Sequence, residues 1–191
     1  MVRFKNFHEN HDKSYFIFGA IMIIIFLIIA ILFLEIPYYF PNYSYVSHIY
    51  QHNLKYIELP PERGINIVNI TINDYNNTLI AFTENSKNVN ITVVNMNGEI
   101  IANNQQYVGT KLPSGYYRIF LINTENISKN VTFTYGIFNY QSIASFYSSL
   151  GLLKSVYEIL MAGSLVIGLY SIIKGIARTK RLKWVWKLRK R

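Results

Sequence analysis

Few residues in this chain are of types that do chemistry, and their spacing narrows the field further. There is no Cys, which removes thiolate zinc sites, iron–sulfur clusters, blue-copper centres and Cys nucleophiles. Four histidines occur, at His8, His11, His48 and His52. His48 and His52 are four apart and would share a helix face, as metal ligands sometimes do. The nearest acids, Glu58 and Glu62, lie beyond an expected turn, so no third ligand is at hand. His8-Glu9-Asn10-His11 spaces its histidines by three, whereas the H-E-x-x-H zinc motif needs four. No G-x-S-x-G elbow, phosphate loop or dinucleotide fingerprint is present. Asp74 is the only Asp of the central region, and no carboxylate pair stands out. The expectation is a non-enzyme with no catalytic residue, no metal and no cofactor.

Two other polar patterns carry information. Asn-x-Ser/Thr occurs at Asn42, Asn69, Asn76, Asn90, Asn126 and Asn130, all within one central stretch. These are candidate N-glycosylation sites, so N-glycans are expected on that stretch, which would then face outward. Lys154 and Glu158 are four apart and can pair on a helix face at a membrane surface.

The elements that must position these groups are set by hydrophobicity. The chain has 191 residues, 51% hydrophobic, 16% aromatic and only 15% charged, against roughly 25% charged in an ordinary soluble domain. The apolar residues concentrate in two segments. Residues 15–34 hold no charge and are long enough to cross about 30 Å of hydrocarbon. The run is too long for a signal peptide, and Glu35-Ile36-Pro37 follows instead of a small-residue cleavage site. Pro37 and Pro41 end the helix, and Tyr38, Tyr39 and Phe40 suit an interfacial aromatic belt. The second segment is 152–174. Within and just past it, Ser164, Gly168, Ser171 and Gly175 form a small-residue stripe that allows close approach of another helix.

Charge gives the orientation. Residues 174–191 hold nine Lys and Arg and no acid, whereas residues 37–150 hold six basic and six acidic groups. The net charge of +9 therefore resides in the last 18 residues. Basic flanks mark the cytoplasmic side, so both termini are expected inside and the central region outside. In the tail, Lys183, Trp184 and Trp186 suit the inner headgroup layer. A short basic tail without a folded reader points to lipid rather than nucleic acid.

Between the spans the pattern is that of strands. Alternation runs through residues 65–72, 78–83, 89–94, 99–102, 116–122 and 131–138. Asn97-Gly98 between two such runs predicts a hairpin with a type I′ turn. Short strands separated by turns every 8–12 residues predict an all-β sandwich, jelly-roll or Ig-like. The expected organisation is a cytoplasmic N-terminus (1–14), transmembrane helix 1 (15–36), a linker (37–52) and an extracytoplasmic β-sandwich (53–140). A connector (141–151), transmembrane helix 2 (152–174) and a basic cytoplasmic tail (175–191) complete it.

The segment Val93-Val-Asn-Met-Asn-Gly-Glu-Ile100 followed by Leu112-Pro-Ser-Gly-Tyr-Tyr-Arg-Ile-Phe-Leu-Ile-Asn123 resembles the jelly-roll sandwiches of pre-peptidase C-terminal and carbohydrate-binding-like modules. The resemblance spans residues 65–138 and implies architecture; the calcium-binding acids of those families have no clear equivalents here. Few charges with abundant Ile, Asn, Thr and Tyr make the whole chain look like a two-span archaeal surface protein. The functional expectation is a multi-pass cell-membrane protein, an accessory or structural subunit of a membrane or cell-envelope complex. Its partners would be lipids and other membrane subunits or itself. A surface glycan- or protein-binding module and an archaeal virus envelope protein are the alternatives.

Overall fold

The computed structural model describes the backbone of residues 3–84 and 86–188, and side chains over residues 14–84 and 86–177. The chain forms two units, residues 1–39 with 149–191, and residues 40–148.

The first unit is helical. It holds α1 (Arg3–Leu34), the single turn α2 (Ile36–Tyr39) and most of α4 (Tyr140–Leu188). Helix α1 stops at Leu34, three residues before Pro37, which itself sits in the first turn of α2 where a missing N–H costs nothing. Helix α4 is continuous from Tyr140, so the expected connector 141–151 is helical.

The second unit is an all-β sandwich with helical cover. Its strands are β1 (Lys55–Leu59), β2 (Gly64–Ile72), β3 (Thr78–Glu84), β4 (Val89–Asn95), β5 (Ile100–Gln105), β6 (Tyr107–Lys111), β7 (Gly115–Asn123) and β8 (Lys129–Phe138). They form two four-stranded antiparallel sheets, β1-β8-β3-β6 and β2-β7-β4-β5. The ladders nest: β4 pairs with β5, β3 with β6, β2 with β7 and β1 with β8. A long hairpin rolled so that successive rungs fall in alternate sheets has this order, which is the jelly roll of the two expected alternatives.

The core lies between the sheets. Leu59, Ile72, Leu79, Val89, Ile91, Val93, Val108, Leu112, Ile119, Leu121 and Phe133 are fully buried there. Each such side chain contributes roughly 1.5–3 kcal/mol by leaving water. In β7 the expected alternation holds: Tyr117, Ile119, Leu121 and Asn123 are buried, and the residues between them are not. The buried Asn123 amide is satisfied, donating to the Pro60 and Ile127 carbonyls and accepting from the Glu125 N–H. Glu125 also accepts from Asn88 and pairs with Lys129 at 2.8 Å. The Lys129 and Asn88 hydrogen bonds hold its carboxyl below the usual value.

The β4–β5 hairpin falls where Asn97-Gly98 predicts it, but its turn differs. Gly98 has φ of 82°, whereas Asn97 keeps a negative φ. The Gly98 N–H donates to Asn95 O at 3.1 Å, and the Asn95 side chain accepts from the Asn97 and Glu99 N–H groups. This is a three-residue loop ending in a left-handed Gly, not a type I′ turn. The Asn95 side chain takes over the local pairing and tips the balance.

Residues 37–52, expected as a linker, are largely ordered as α2 and α3 (Tyr43–His52). Helix α3 lies on the outer side of the first sheet through Val46, Ile49 and Tyr50, against Ile80, Phe82 and Phe138.

Candidate functional site

Within the helical unit, α1 and α4 pack antiparallel. Lys174 Nζ lies 4.9 Å from the centre of the Tyr15 ring, and Gly19 faces Gly168. Phe33 meets Tyr157 edge-on at 6.5 Å, and the Tyr39 hydroxyl donates to the Tyr157 hydroxyl at 2.9 Å. A Cβ on Gly19 would come within 2.9 Å of Gly168 O, and a Cβ on Gly168 would meet the Ile23 side chain. Two glycines thus permit a backbone approach that any larger residue would block. All four members of the small-residue stripe, Ser164, Gly168, Ser171 and Gly175, are buried. Gly19, on the opposing helix, was not singled out by sequence; its place among bulky residues of α1 was the available signal. Lys154 and Glu158 are exposed on α4, and among the described residues no ion pair joins them. Lys183, Trp184 and Trp186, like His8 and His11, have side chains outside the described residues.

In the sandwich unit the two sheets present unlike outer faces. The first sheet is covered by α3 and the start of α4. Tyr50 meets Phe82 and Phe138 edge-on at 5.1 and 5.6 Å, and Phe146 packs against Phe40, Tyr43 and Tyr147. Thr134 Oγ1 donates to Tyr50 O at 2.6 Å, and Asn53 Nδ2 donates to Tyr135 O at 3.0 Å. The Tyr50 and Tyr147 hydroxyls are 2.8 Å apart. Burial first, and then that hydrogen bond, push the Tyr50 phenol far above its ordinary value. Gly136 makes the docking possible, because a Cβ there would meet the Phe138 ring and lie 3.1 Å from Ile49.

On the second sheet the outward residues of β7 are Tyr116, Arg118, Phe120 and Ile122. Register places Asn69 and Val94 beside Arg118, Asn66 and Thr92 beside Phe120, and Asn90 beside Ile122. This face is amide-rich and holds no carboxylate in those rows. The Arg118 guanidinium lies 6.0 Å from the Phe120 ring centre, and its Nε is buried with no hydrogen-bond partner among the described residues.

The sequon asparagines are dispersed rather than gathered. Asn69 and Asn90 sit on β2 and β4 of the second sheet, Asn130 on β8, and Asn76 and Asn126 in turns. Asn42 caps α3 with a left-handed backbone, φ of 61°, and its side chain makes no cap bond. Asn42, Asn69, Asn126 and Asn130 are exposed, whereas Asn76 and Asn90 are half-buried.

His48 and His52 stack on α3 with ring centres 6.3 Å apart. Among the described residues no group of three His, Cys, Asp or Glu side chains could hold a metal. Two shallow depressions of about 470 and 450 Å³ open on the sandwich surface. Glu58 is the only acid of the first, beside Tyr56, Asn130 and Thr132. The second holds Asp74, Lys111 and Ser114, with the Ser114 hydroxyl donating to the Asp74 carboxylate. Neither has a His to relay a proton.

No protein-family model matches the chain, and neither does any curated protein. Among solved structures the chain is similar to PliG of Aeromonas hydrophila, a periplasmic inhibitor of g-type lysozyme. That likeness has 16% identity, covers 44% of this chain and 82% of PliG, and has a TM-score of 0.34. The Yersinia pseudotuberculosis-derived mitogen is similar at 15% identity, covering 44% of this chain and 83% of that one, with a TM-score of 0.33. A CooA variant from Carboxydothermus hydrogenoformans is similar at 15% identity over 80% of this chain and 93% of its own, with a TM-score of 0.26.

Proposed function

We propose that this chain is a non-catalytic membrane-anchored protein that displays a β-sandwich outside the cell as an accessory or structural subunit of a larger membrane or cell-envelope complex. The observation that carries the reading is the antiparallel α1–α4 pair. From Tyr15 to Phe33 it rises about 27 Å, close to the hydrocarbon thickness of roughly 30 Å. Its two ends carry Tyr15 with Lys174 and Phe33 with Tyr157, the residue types that favour the interface. Away from the inter-helix contacts, and Glu158 near one end apart, its surface is largely apolar and bare: Ile17, Leu34, Ile159, Val166 and Ile173 are all more than half exposed. Water would penalise such a surface and lipid would not. An antiparallel pair puts both termini on one side, in agreement with the basic tail at residues 174–191 facing inward.

The test is mild-detergent extraction of the native protein, followed by sizing and mass spectrometry of what co-migrates. The subunit reading expects a defined set of larger membrane proteins; migration alone or as a homo-oligomer overturns it. Topology is tested separately with single cysteines introduced into the Cys-free chain. Tyr75→Cys, at a position 71% exposed on the sandwich, should react with an impermeant thiol reagent on intact cells and Lys187→Cys should not; the reverse pattern overturns the orientation.

A second reading, a glycan- or protein-binding module, is favoured by the uncovered amide-rich face around Arg118 and Phe120. It expects glycan-array binding by the full chain that Phe120→Ala abolishes.

A further inference from the structure

The two sheets end in four edge strands, and three of them are guarded against pairing with another strand. Edge β1 is five residues long and carries Lys55 and Glu58. Edge β6, also five residues, ends in Lys111, whose Nζ lies 5.5 Å from the centre of the Tyr140 ring. Edge β2 is bulged between Asn66 and Val68, and Lys55 Nζ donates to the carbonyl of the bulged Ile67 at 3.0 Å. Charge, shortness and bulges are the ordinary means by which proteins blunt an edge.

Edge β5 is different. From Ile100 to Thr110 the chain has no charged residue and no proline. Its ladder with β4 skips Ile101, but that irregularity sits at the turn end. Beyond it residues 102–105 run in regular register against Val93, Thr92, Ile91 and Asn90. Alternate residues of that stretch direct their N–H and C=O groups away from β4. Asn103, Asn104 and Gln105 are exposed, and Ile100 at the turn end is 60% exposed.

We propose that residues 102–105 form a self-pairing edge: two copies of this chain join antiparallel, β5 to β5, about a twofold axis. Two four-stranded sheets then become one of eight. The occupant follows from the side chains. An antiparallel twofold pairing sets only the residue at the axis against its own copy and every other residue against another residue of the same edge, so an edge of one charge sign would repel itself, whereas Asn and Gln both donate and accept. A partner strand of opposite charge has nothing on β5 to select it. Confinement in one membrane, which rests on the function proposed above, raises the effective concentration of one copy for the other as a linker would.

The test uses the full-length chain in its own membrane. Single cysteines are placed at Ala102, Asn103, Asn104 and Gln105, with Tyr56→Cys on edge β1 as the collision control. Under mild oxidant the expected result is a cross-linked homodimer with yield peaked at one or two β5 positions and well above the control. Adding Asn104→Lys to the strongest non-104 cysteine should lower that yield about fivefold, because two like charges are then brought close to the axis. Flotation of the same samples with membranes and retained protease resistance of the sandwich separate this result from failure of anchoring or folding. Yields equal to the control, cross-links to a different protein, or a dimer indifferent to Asn104→Lys would each overturn the pairing.

Discussion

The two sheets of the sandwich share one core but differ on their outer faces. Strand β8 of the first sheet is buried on both sides: Val131 and Phe133 face the core, and Thr134, Gly136 and Phe138 face α3 and α4. Strand β7, equally central in the second sheet, is buried on one side only. The sequences record the difference. The outward positions that α3 covers on β8 and β3, Thr134, Gly136, Phe138, Ile80 and Phe82, are small or apolar, as a helix bed requires, whereas those on and beside β7 mix Phe120, Ile122 and Val94 with amides, hydroxyls and one arginine. A covered sheet is part of the scaffold, and a bare one is where a partner can be met.

Substitutions can break or sharpen this contrast. The largest effect is expected from Phe138→Ala, which empties the centre of the aromatic layer under α3 and should cost about 3–5 kcal/mol, read by chemical denaturation. Gly136→Val comes next. Its added carbons meet the Phe138 ring and Ile49, and overpacking of this kind costs about 1–3 kcal/mol; proteolysis between α3 and β1 should rise with it. Thr134→Val removes the hydrogen bond to the Tyr50 carbonyl while keeping shape, for a loss of about 1 kcal/mol, measured in the same denaturation series.

A pH test follows from Tyr50. Its folded value is raised above the unfolded one, so the stabilisation is complete below the unfolded value near pH 10 and is lost as pH rises further. Near-ultraviolet circular dichroism should show α3 loosening at strongly alkaline pH, and Tyr50→Phe should weaken that dependence. The smallest effect is expected on the bare face. Phe120→Thr should change stability by less than about 1 kcal/mol; a loss as large as that of Phe138→Ala would mean that this face, too, is a bed for something.

How much of this could be read beforehand varies with the kind of signal. Alternation located β2, β3, β4, β7 and β8 to within a few residues, because each supplies apolar residues to the core at a spacing of two. Strand β1 escaped because Lys55 and Glu58 interrupt it, and β6 because Gly109 and Thr110 dilute it. Helix α3 reads as Tyr-Ser-Tyr-Val-Ser-His, a composition of weak helix formers. Its helicity comes from docking on Phe138 and Ile80, a tertiary cause with no local trace. The small-residue stripe of α4 was visible as a period, but its counterpart Gly19 was not, since a single glycine has no period. The uncovered face of the second sheet was equally hidden, because knowing which side of a strand lacks cover requires knowing where the helices go.

The nested ladders have a consequence for when the sandwich comes into being. Strand β1 leaves the ribosome first among the described strands, and the strand it pairs with, β8, leaves last. The β4–β5 hairpin is the one pairing closed by a short turn, and each later rung must bridge a longer loop, a topology that folds slowly. Nascent chains released before residue 129 should therefore remain sensitive to pulse proteolysis throughout β1–β3, with resistance arriving in one step once β8 is complete. During that interval β5 has only β4 to pair with, and an isolated two-stranded hairpin is marginally stable in water, so the edge proposed to receive a second copy would be complete only after β7 has joined β4.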